Sequence, residues 1–316
     1  MTLDDIKEVF EQNETFAVFA HENPDGDAIG SALAVRNVLV NLGKHADVIL
    51  DGCPANFDYL EGFNDIITES KIDYDVAIAV DCPDIKRIKT DFVPYFEKAK
   101  IKIEFDHHTN NTRFADHCIV DQACPACCQI LASSFNYMQY EITKPIAECL
   151  LTGIITDTGG FRHEGTNEET FEFAGWCANK GLNITKIYRE SMTTITKTKF
   201  EHEKLAMKRM QFLADGKVAF TYTLKEDDDK IGYEPGDHDG IVEIGRTIKG
   251  VEVSIYIYQR EDGDFKASLR SNEYVDVSEI CLLFGGGGHV RAAGTNLKMK
   301  FEDAKNSIIN ETMKHV

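Results

Sequence analysis

Three short apolar runs in this chain end in the same way. Thr15–Ala20 (TFAVFA) runs into His21, Tyr74–Val80 (YDVAIAV) into Asp81, and Lys100–Phe105 (KIKIEF) into Asp106, His107 and His108. Short runs as apolar as TFAVFA and DVAIAV are strands buried on both faces, the pattern of a parallel sheet with helices on either side, and KIKIEF adds a strand of alternating character. Ala46–Leu50 adds a further strand, and an amphipathic helix from about Ala28 to Leu42 separates the first two. Parallel strands point one way, so their carboxyl ends share one edge, where α/β sheets place their sites. One Asp after a strand is usually a turn or cap residue. Asp and His after three strands of one sheet ask for another explanation.

The loop after the first strand reads His21-Glu22-Asn23-Pro24-Asp25-Gly26-Asp27. Imidazole and two carboxylates in one tight loop are divalent-metal ligand types. Equally, Asp25 or Asp27 can simply cap the helix that follows. Asp157 lies in Gly153-Ile154-Ile155-Thr156-Asp157-Thr158-Gly159 and alone reads as a helix-end residue. Arg162 and His163 follow it, either touching substrate or pairing with surface acids such as Glu164; for His163 the pattern favours the surface pair.

At 316 residues the length suggests about two domains. With 34 Lys and Arg against 53 Asp and Glu, the net charge is −19. Such a field repels polyanions and argues against a protein that coats long nucleic acid, yet tolerates a small anion held by local charges or metal ions. The acidic amino terminus lacks the order of a signal peptide, and no apolar run approaches the ~20 residues needed to cross a membrane. A cytoplasmic, membrane-free protein is expected. Nine cysteines, bunched at Cys118, Cys124, Cys127 and Cys128, read as reduced thiols. Cys124 and Cys127 have CxxC spacing, but no second pair completes a zinc site, and Pro125 suits the first turn of a helix.

Helical patterns continue from Pro125 to Tyr140 and from Lys144 to about Thr156, and Thr193–Leu213 reads as a helix joining two domains. Strands at Lys217–Thr223 and Val251–Tyr258, a hairpin signal at Asp262-Gly263 and a returning strand at Phe265–Leu269 follow, before a closing amphipathic helix at Phe301–Val316. The expected organisation is α/β: a domain over 1–190, a helical linker over 191–213 and a smaller mixed domain over 214–316. The run Gly285–Gly288 lacks the Gly-Lys-Ser/Thr ending of a P-loop. Its amides could approach an anion, with Arg270, His289 and Arg291 adding charge, or it could be a flexible loop at a helix end.

Taken together, the His21–Gly30 loop, Asp81, the Asp106-His107-His108 triplet and Thr156–Gly159 resemble the four motifs of the DHH phosphoesterase superfamily. Ser268-Leu269-Arg270-Ser271 and Gly285–His289 resemble its companion DHHA1 domain, and order, spacing and length are similar to the nanoRNase (oligoribonuclease)/pAp-phosphatase branch. The resemblance implies a parallel-sheet DHH domain and a mixed α/β DHHA1 domain. It also implies two Mn²⁺ ions, one held by His21, Asp25 and Asp81, the other by Asp27, Asp81, His107 and Asp157, with Asp81 bridging. Asp106 would orient the triplet, and His108 would face the substrate phosphate or the leaving group. Arg270, Ser271, Gly287, Gly288, His289 and Arg291 would grip the nucleotide as the second domain closes over it.

Elementary chemistry agrees with that ligand set. Two divalent cations balance the carboxylates of Asp25, Asp27, Asp81 and Asp157, and mixed His and carboxylate ligation favours Mn²⁺, with Mg²⁺ or Co²⁺ as substitutes. Two ions about 3.5–4 Å apart can share a water and lower its pKa. The implied substrates are short oligoribonucleotides, cut to mononucleotides, and pAp, cut to AMP; a homodimer is compatible with the resemblance. The rivals are a cyclic- or linear-dinucleotide phosphodiesterase and a non-catalytic nucleotide-binding regulator, the latter disfavoured by the intact ligand positions. Cys124, Cys127, Gly160 and Val290 depart from the family's usual residues; none is a proposed ligand, so they bear on substrate preference.

Overall fold

The computed structural model describes residues 2–163 and 165–316, and the chain gathers into two units, Met1–Thr194 and Ile195–Val316. The first holds α1 (Leu3–Gln12), β1 (Thr15–Phe19), α2 (Gly26–Asn41), β2 (His45–Val48), β3 (Val76–Val80), α3 (Val93–Lys98), β4 (Ile101–Asp106), β5 (His117–Val120), α4 (Cys127–Tyr137), α5 (Lys144–Asp157), α6 (Glu168–Asn179) and α7 (Ile184–Tyr188). Its sheet is parallel throughout, in the order β2-β1-β3-β4-β5. The continuous apolar runs are explained by alternation. Phe16, Val18, Ile78, Val80, Ile103 and Phe105 join the core shared with α2, α4 and α5. Ala17, Phe19, Ala77 and Ala79 enter the core beneath α3, against Phe92 and Phe96.

Two local expectations differ from the structure. The helix expected to be amphipathic, α2, is buried almost all round, because α4 and α5 cover its outer side. The edge strand β5 carries no apolar run; its sequence is HCIV and all four residues are only half-buried.

The second unit holds α8 (Lys197–Arg209), β6 (Gln211–Leu213), β7 (Val218–Thr223), α9 (Lys225–Ile231), α10 (Ile241–Arg246), β8 (Val253–Gln259), β9 (Phe265–Ser271), α11 (Val277–Leu282), β10 (Gly287–His289), β11 (Ala292–Leu297) and α12 (Phe301–Thr312). Its mixed sheet runs β10-β11-β9-β8-β7-β6, with β7 and β8 parallel and the other pairs antiparallel. The segment 191–213, expected to be a helical linker, contains the end of a π turn, then α8, then β6, which pairs with β7. Ala206 of α8 packs with Ile241, Val242 and Tyr256. Half of the glycine run is also strand: Gly287 and Gly288 lie in β10, where a Cβ at Gly288 would come within 2.4 Å of the Ala292 carbonyl. Among the described residues no helix is long and apolar enough to cross a membrane.

Candidate active site

Five of the candidate residues, His21, Asp81, Asp106, His107 and His108, meet at the carboxyl edge of the first sheet, delivered by β1, β3 and β4. Asp81 follows β3 in the left-handed region, at φ 50°, an uncommon conformation for a residue with a Cβ and one that marks functional positions. Its Oδ2 lies 3.6 Å from His21 Nε2 and its Oδ1 lies 3.3 Å from His107 Nε2 and 3.6 Å from His108 Nδ1. His107 Nε2 is also 3.3 Å from Asp157 Oδ2 and 4.0 Å from Asp27 Oδ2, and His21 Nε2 is 4.0 Å from Asp25 Oδ1. Ligand atoms of His21, Asp25 and Asp81 form one close group and those of Asp27, His107 and Asp157 another; a third joins Asp81, His107 and His108.

The backbone sets these side chains. His21 Nδ1 pairs with the carbonyl of Glu22 at 3.0 Å and His107 Nδ1 with that of Cys124 at 3.2 Å. A carbonyl can only accept, so each ring donates from Nδ1 and turns Nε2 toward the carboxylates. Asp27 Oδ2 accepts from the Cys127 amide at 2.6 Å and its Oδ1 from the Cys128 amide at 2.9 Å, both at the start of α4. Asp25 is cap and cluster member at once: its Oδ1 accepts from the amides of Asp27 and Ala28 at 3.0 and 3.1 Å. The CxxC segment thus enters the site through its backbone, and all nine cysteines are unpaired.

Glycines let the helices that carry Asp27 and Asp157 approach. A Cβ on Gly30 of α2 would meet the Cys149 carbonyl of α5 at 2.5 Å, and one on Gly26 would strike Thr156. A Cβ on Gly153 of α5 would lie 2.3 Å from Cys128 Sγ and 2.5 Å from Asp27 Oδ1.

The electrostatics are those of a site with too many acids. Burial, then the charge of Asp81, pushes Asp27 up to about 7. Burial and the charge of Asp27 hold Asp157 well above the usual carboxylate range. Burial opposes ionisation of Asp81 too, but the imidazoles of His107 and His21 outweigh it and hold its carboxyl well down. Burial likewise opposes charging of the two rings, yet Asp81 and its neighbours raise His21 to about 9 and His107 to about 11. Buried Asp81 Oδ1 accepts no hydrogen bond. An orphaned carboxylate oxygen among crowded acids, faced by His107 Nε2 and His108 Nδ1, fits divalent cations, and these clusters could hold them.

Asp106 is fully buried and takes His108 Nδ1 at 2.8 Å on its Oδ1. Beyond Asp157, the exposed ring of His163 pairs through Nδ1 with the Asp157 carbonyl at 3.0 Å, and Arg162 Nε donates to the Gly159 carbonyl at 2.6 Å; Glu164 lies outside the described residues. A pocket opens beside His21, walled by Leu50, Asp51, Lys89 and Phe92.

In the second unit, strand register places Arg270 of β9 opposite Ala292 of β11, and Ala292 opposite His289 of β10. The three form one row on the face of the sheet that α10 packs against. Arg270 Nε donates to Glu243 Oε1 at 2.7 Å. Arg291 gives its guanidinium to the carbonyls of Val275 and Glu273. Ser271 is buried and donates to the Val275 carbonyl at 2.6 Å. Gly287 pairs with Gly294 and Gly288 with Ala293, so both lie within the β10–β11 ladder.

The parallel α/β unit with its acid and imidazole cluster and the mixed-sheet unit after it match two family models, and with relatives named as oligoribonuclease and PAP phosphatase they make the chain a hydrolase acting on phosphoester bonds. Residues 15–154 match the DHH family, N-terminal domain, and residues 215–315 match the DHHA1 domain. The chain belongs to this family. It is 33% identical, over 89% of its length and 83% of the relative's, to the bifunctional oligoribonuclease and PAP phosphatase NrnA of Thermus thermophilus. It is 22% identical, over 93% of its length and 46% of the relative's, to the cyclic-di-AMP phosphodiesterase PdeA of Listeria monocytogenes. Among solved structures, an exopolyphosphatase-related protein from Bacteroides fragilis aligns at TM-score 0.89 and 27% identity, covering 99% of this chain and 95% of that one. RecJ from Thermus thermophilus in complex with Mn²⁺ shares the fold at TM-score 0.59 and 12% identity, over 99% of this chain and 55% of RecJ.

Proposed function

We propose that this protein is a cytoplasmic Mn²⁺-dependent phosphoesterase that hydrolyses short oligoribonucleotides to mononucleotides and pAp to AMP. The observation that carries the reading is Asp81, whose two carboxylate oxygens face two different imidazoles. In this reading His21, Asp25 and Asp81 hold one ion, and Asp27, Asp81, His107 and Asp157 the other. Such ions would supply Lewis acidity and activate a water for attack on phosphorus. The NrnA relative supports the substrates and manganese-bound RecJ supports the metal.

The remaining steps belong to the protein. Asp106 accepts the Nδ1 proton of His108 and so turns Nε2 away from itself. Protonated at Nε2, His108 gives that proton to the oxygen of the departing alcohol, a positioned general acid. The pocket beside His21 offers an adjoining nucleoside the apolar walls of Leu50 and Phe92 and the Lys89–Asp51 ion pair. Arg270, which is also paired with Glu243, and His289 offer N–H donors to a nucleotide phosphate. Long chains are disfavoured by the net charge of −19.

The test is phosphate release from pAp together with product analysis on labelled RNAs of two, five and 20 residues, with chelator and after Mn²⁺ is restored. Activity on pAp and faster cleavage of the short RNAs, both lost to chelator and restored by Mn²⁺, is expected. Equal rates on the dinucleotide and the 20-mer overturn the short-substrate reading. Cleavage of cyclic di-AMP with pAp left intact favours the phosphodiesterase rival to which PdeA is the pointer.

A further inference from the structure

Behind the Asp106–His108 pair lies a second layer of buried polar groups. Glu104 and Asp106 are alternate residues of β4, so they project from the same face of the sheet. Both are fully buried. No Lys or Arg forms an ion pair with either among the described residues; what joins them is one amide. Asn111 Nδ2 donates to Asp106 Oδ2 at 2.6 Å and also to Glu104 Oε1. A primary amide has two N–H bonds, one for each carboxyl group.

Asn111 is itself held at both ends. Its Oδ1 accepts from the Arg113 backbone amide at 2.7 Å, and its own backbone N–H donates to the His108 carbonyl at 3.3 Å. The adjacent Thr112 amide donates at 2.8 Å to the carbonyl of Pro83, two residues beyond Asp81. The Asn111 side chain therefore spends its donors on two buried acids and its acceptor on the turn that carries it.

We propose that Asn111 is a positioning residue for the reaction. It fixes the carboxylate plane of Asp106 through Oδ2, so that Oδ1 holds His108 Nδ1 and Nε2 is presented in one orientation. Glu104 is the anchor behind Asn111, the acceptor that takes the second N–H and prevents the amide from turning. Without Asn111 the Asp106 Oδ2 keeps only the longer bond from the His108 backbone amide, at 3.3 Å, so the carboxylate is held less firmly and the imidazole with it. The inference rests on the role given to His108 above.

The experiment is a double-mutant cycle on pAp and a dinucleotide, with Mn²⁺ binding followed calorimetrically. Asn111→Ala is expected to lower kcat by about 10- to 100-fold, the usual cost of losing such a support, with KM and Mn²⁺ affinity little changed. Made in a His108→Ala background, the same substitution is expected to change kcat by less than about twofold, because residues that act through one another are non-additive. A full additional loss in that background, or a loss of Mn²⁺ affinity that accounts for the rate, overturns the proposal and leaves the role of His108 standing. His108→Ala at the wild-type rate overturns that role and this proposal with it. Should Asn111→Ala not fold, Glu104 reads the same clamp from behind. Glu104→Gln, which keeps an acceptor for the amide, is expected to retain kcat while Glu104→Ala loses it; equal losses overturn the proposal.

Discussion

The amide of Cys127 donates to Asp27 Oδ2 at 2.6 Å across 100 positions of sequence. With the Cys128 amide on Oδ1, it directs the amino end of α4 at a fully buried carboxylate. The two amides and the helix dipole stabilise negative charge there, while burial and Asp81 push Asp27 up. What α4 contributes is therefore the orientation of a candidate ligand, by main-chain atoms that any residue supplies.

It follows that the cysteine thiols are dispensable for chemistry. Cys127→Ala and Cys128→Ala should keep kcat and Mn²⁺ affinity within about threefold while lowering unfolding free energy by about 1–2 kcal/mol through lost packing. Denaturant melts and steady-state kinetics check this; a tenfold loss of activity at unchanged stability would point to thiol chemistry instead.

Gly153→Ala should be far worse than its one methyl suggests. The new Cβ would press on Cys128 Sγ and Asp27 Oδ1 at 2.3 and 2.5 Å. Overpacking of this kind costs about 1–3 kcal/mol, and here the displaced atom is a candidate ligand. Mn²⁺ titration should show weakened binding alongside the lowered melting temperature; wild-type affinity would show that α2 and α5 can part without cost to the site.

Asp81 and Asp25 should differ in metal stoichiometry. Asp81→Asn is expected to abolish tight binding at both positions and reduce kcat by about 100- to 1,000-fold, in the range seen for lost catalytic electrostatics. Asp25→Asn should weaken one position only. Calorimetric titration counts the ions, and a single-ion loss in both variants contradicts a shared Asp81.

The row Arg270, Ala292, His289 makes a claim about the second unit alone. Arg270→Ala and His289→Ala should each raise KM for pAp, since a charged hydrogen bond is worth about 1.5–3 kcal/mol, or roughly 10- to 150-fold. Ala292→Leu removes no charge but puts bulk between them and should also raise KM. Mn²⁺ affinity should hold in all three, and an Ala292→Leu variant with normal KM would separate this face from the substrate.

A buried polar cluster in the second unit should make its stability depend on pH. Fully buried His202 pairs through Nε2 with Asp228 Oδ1 at 3.0 Å, and its Nδ1 meets the Thr198 carbonyl at 2.9 Å and lies 3.8 Å from Asp237 Oδ2. His238 Nε2 lies 3.4 Å from the other Asp228 oxygen. Burial opposes charging of His202, but Asp228 and the backbone outweigh it and raise it; Asp228 is held below its ordinary value, the two imidazoles outweighing its burial. The raised His202 stabilises fully below about 6.5, its unfolded value, and fades as pH rises through the folded one. The lowered Asp228 stabilises above about 3.9 and fades as pH falls through its folded value. The melting-temperature difference between wild type and His202→Gln should therefore be greatest between about pH 4 and 6.5 and shrink on the alkaline side. A difference that grows above pH 8 would show that His202 is not held in its charged form.

Much of the first unit is legible along the chain, since strand burial and strand ends are local properties. The runs before His21 and Asp81 carry their own evidence of two-sided burial, whereas KIKIEF before Asp106 alternates charge with apolar residues and hides the burial of Glu104; parallel strands put all three ends on one edge. The strand β5 escaped notice because an edge strand lacks burial on both faces, and HCIV has no run to show it. Asn111 escaped because an Asn in a polar loop is ordinary until Glu104 and Asp106 are seen on either side of its amide.

Residue order alone therefore settled which chemistry arrives at the sheet edge: His21, Asp81 and the Asp106–His108 triplet, each at the end of its own strand. Folding decided what meets it. Asp27 and Asp157 converge because Gly26, Gly30 and Gly153 let α2 and α5 cross closely, and Cys127 and Cys128 matter through amides rather than thiols. Arg270 and His289 become neighbours only through the register of β9, β11 and β10. The reason is range. Periodicity and strand termini are written over a few consecutive residues, whereas helix approach, main-chain donors and sheet register depend on partners tens of residues away, which no local pattern encodes.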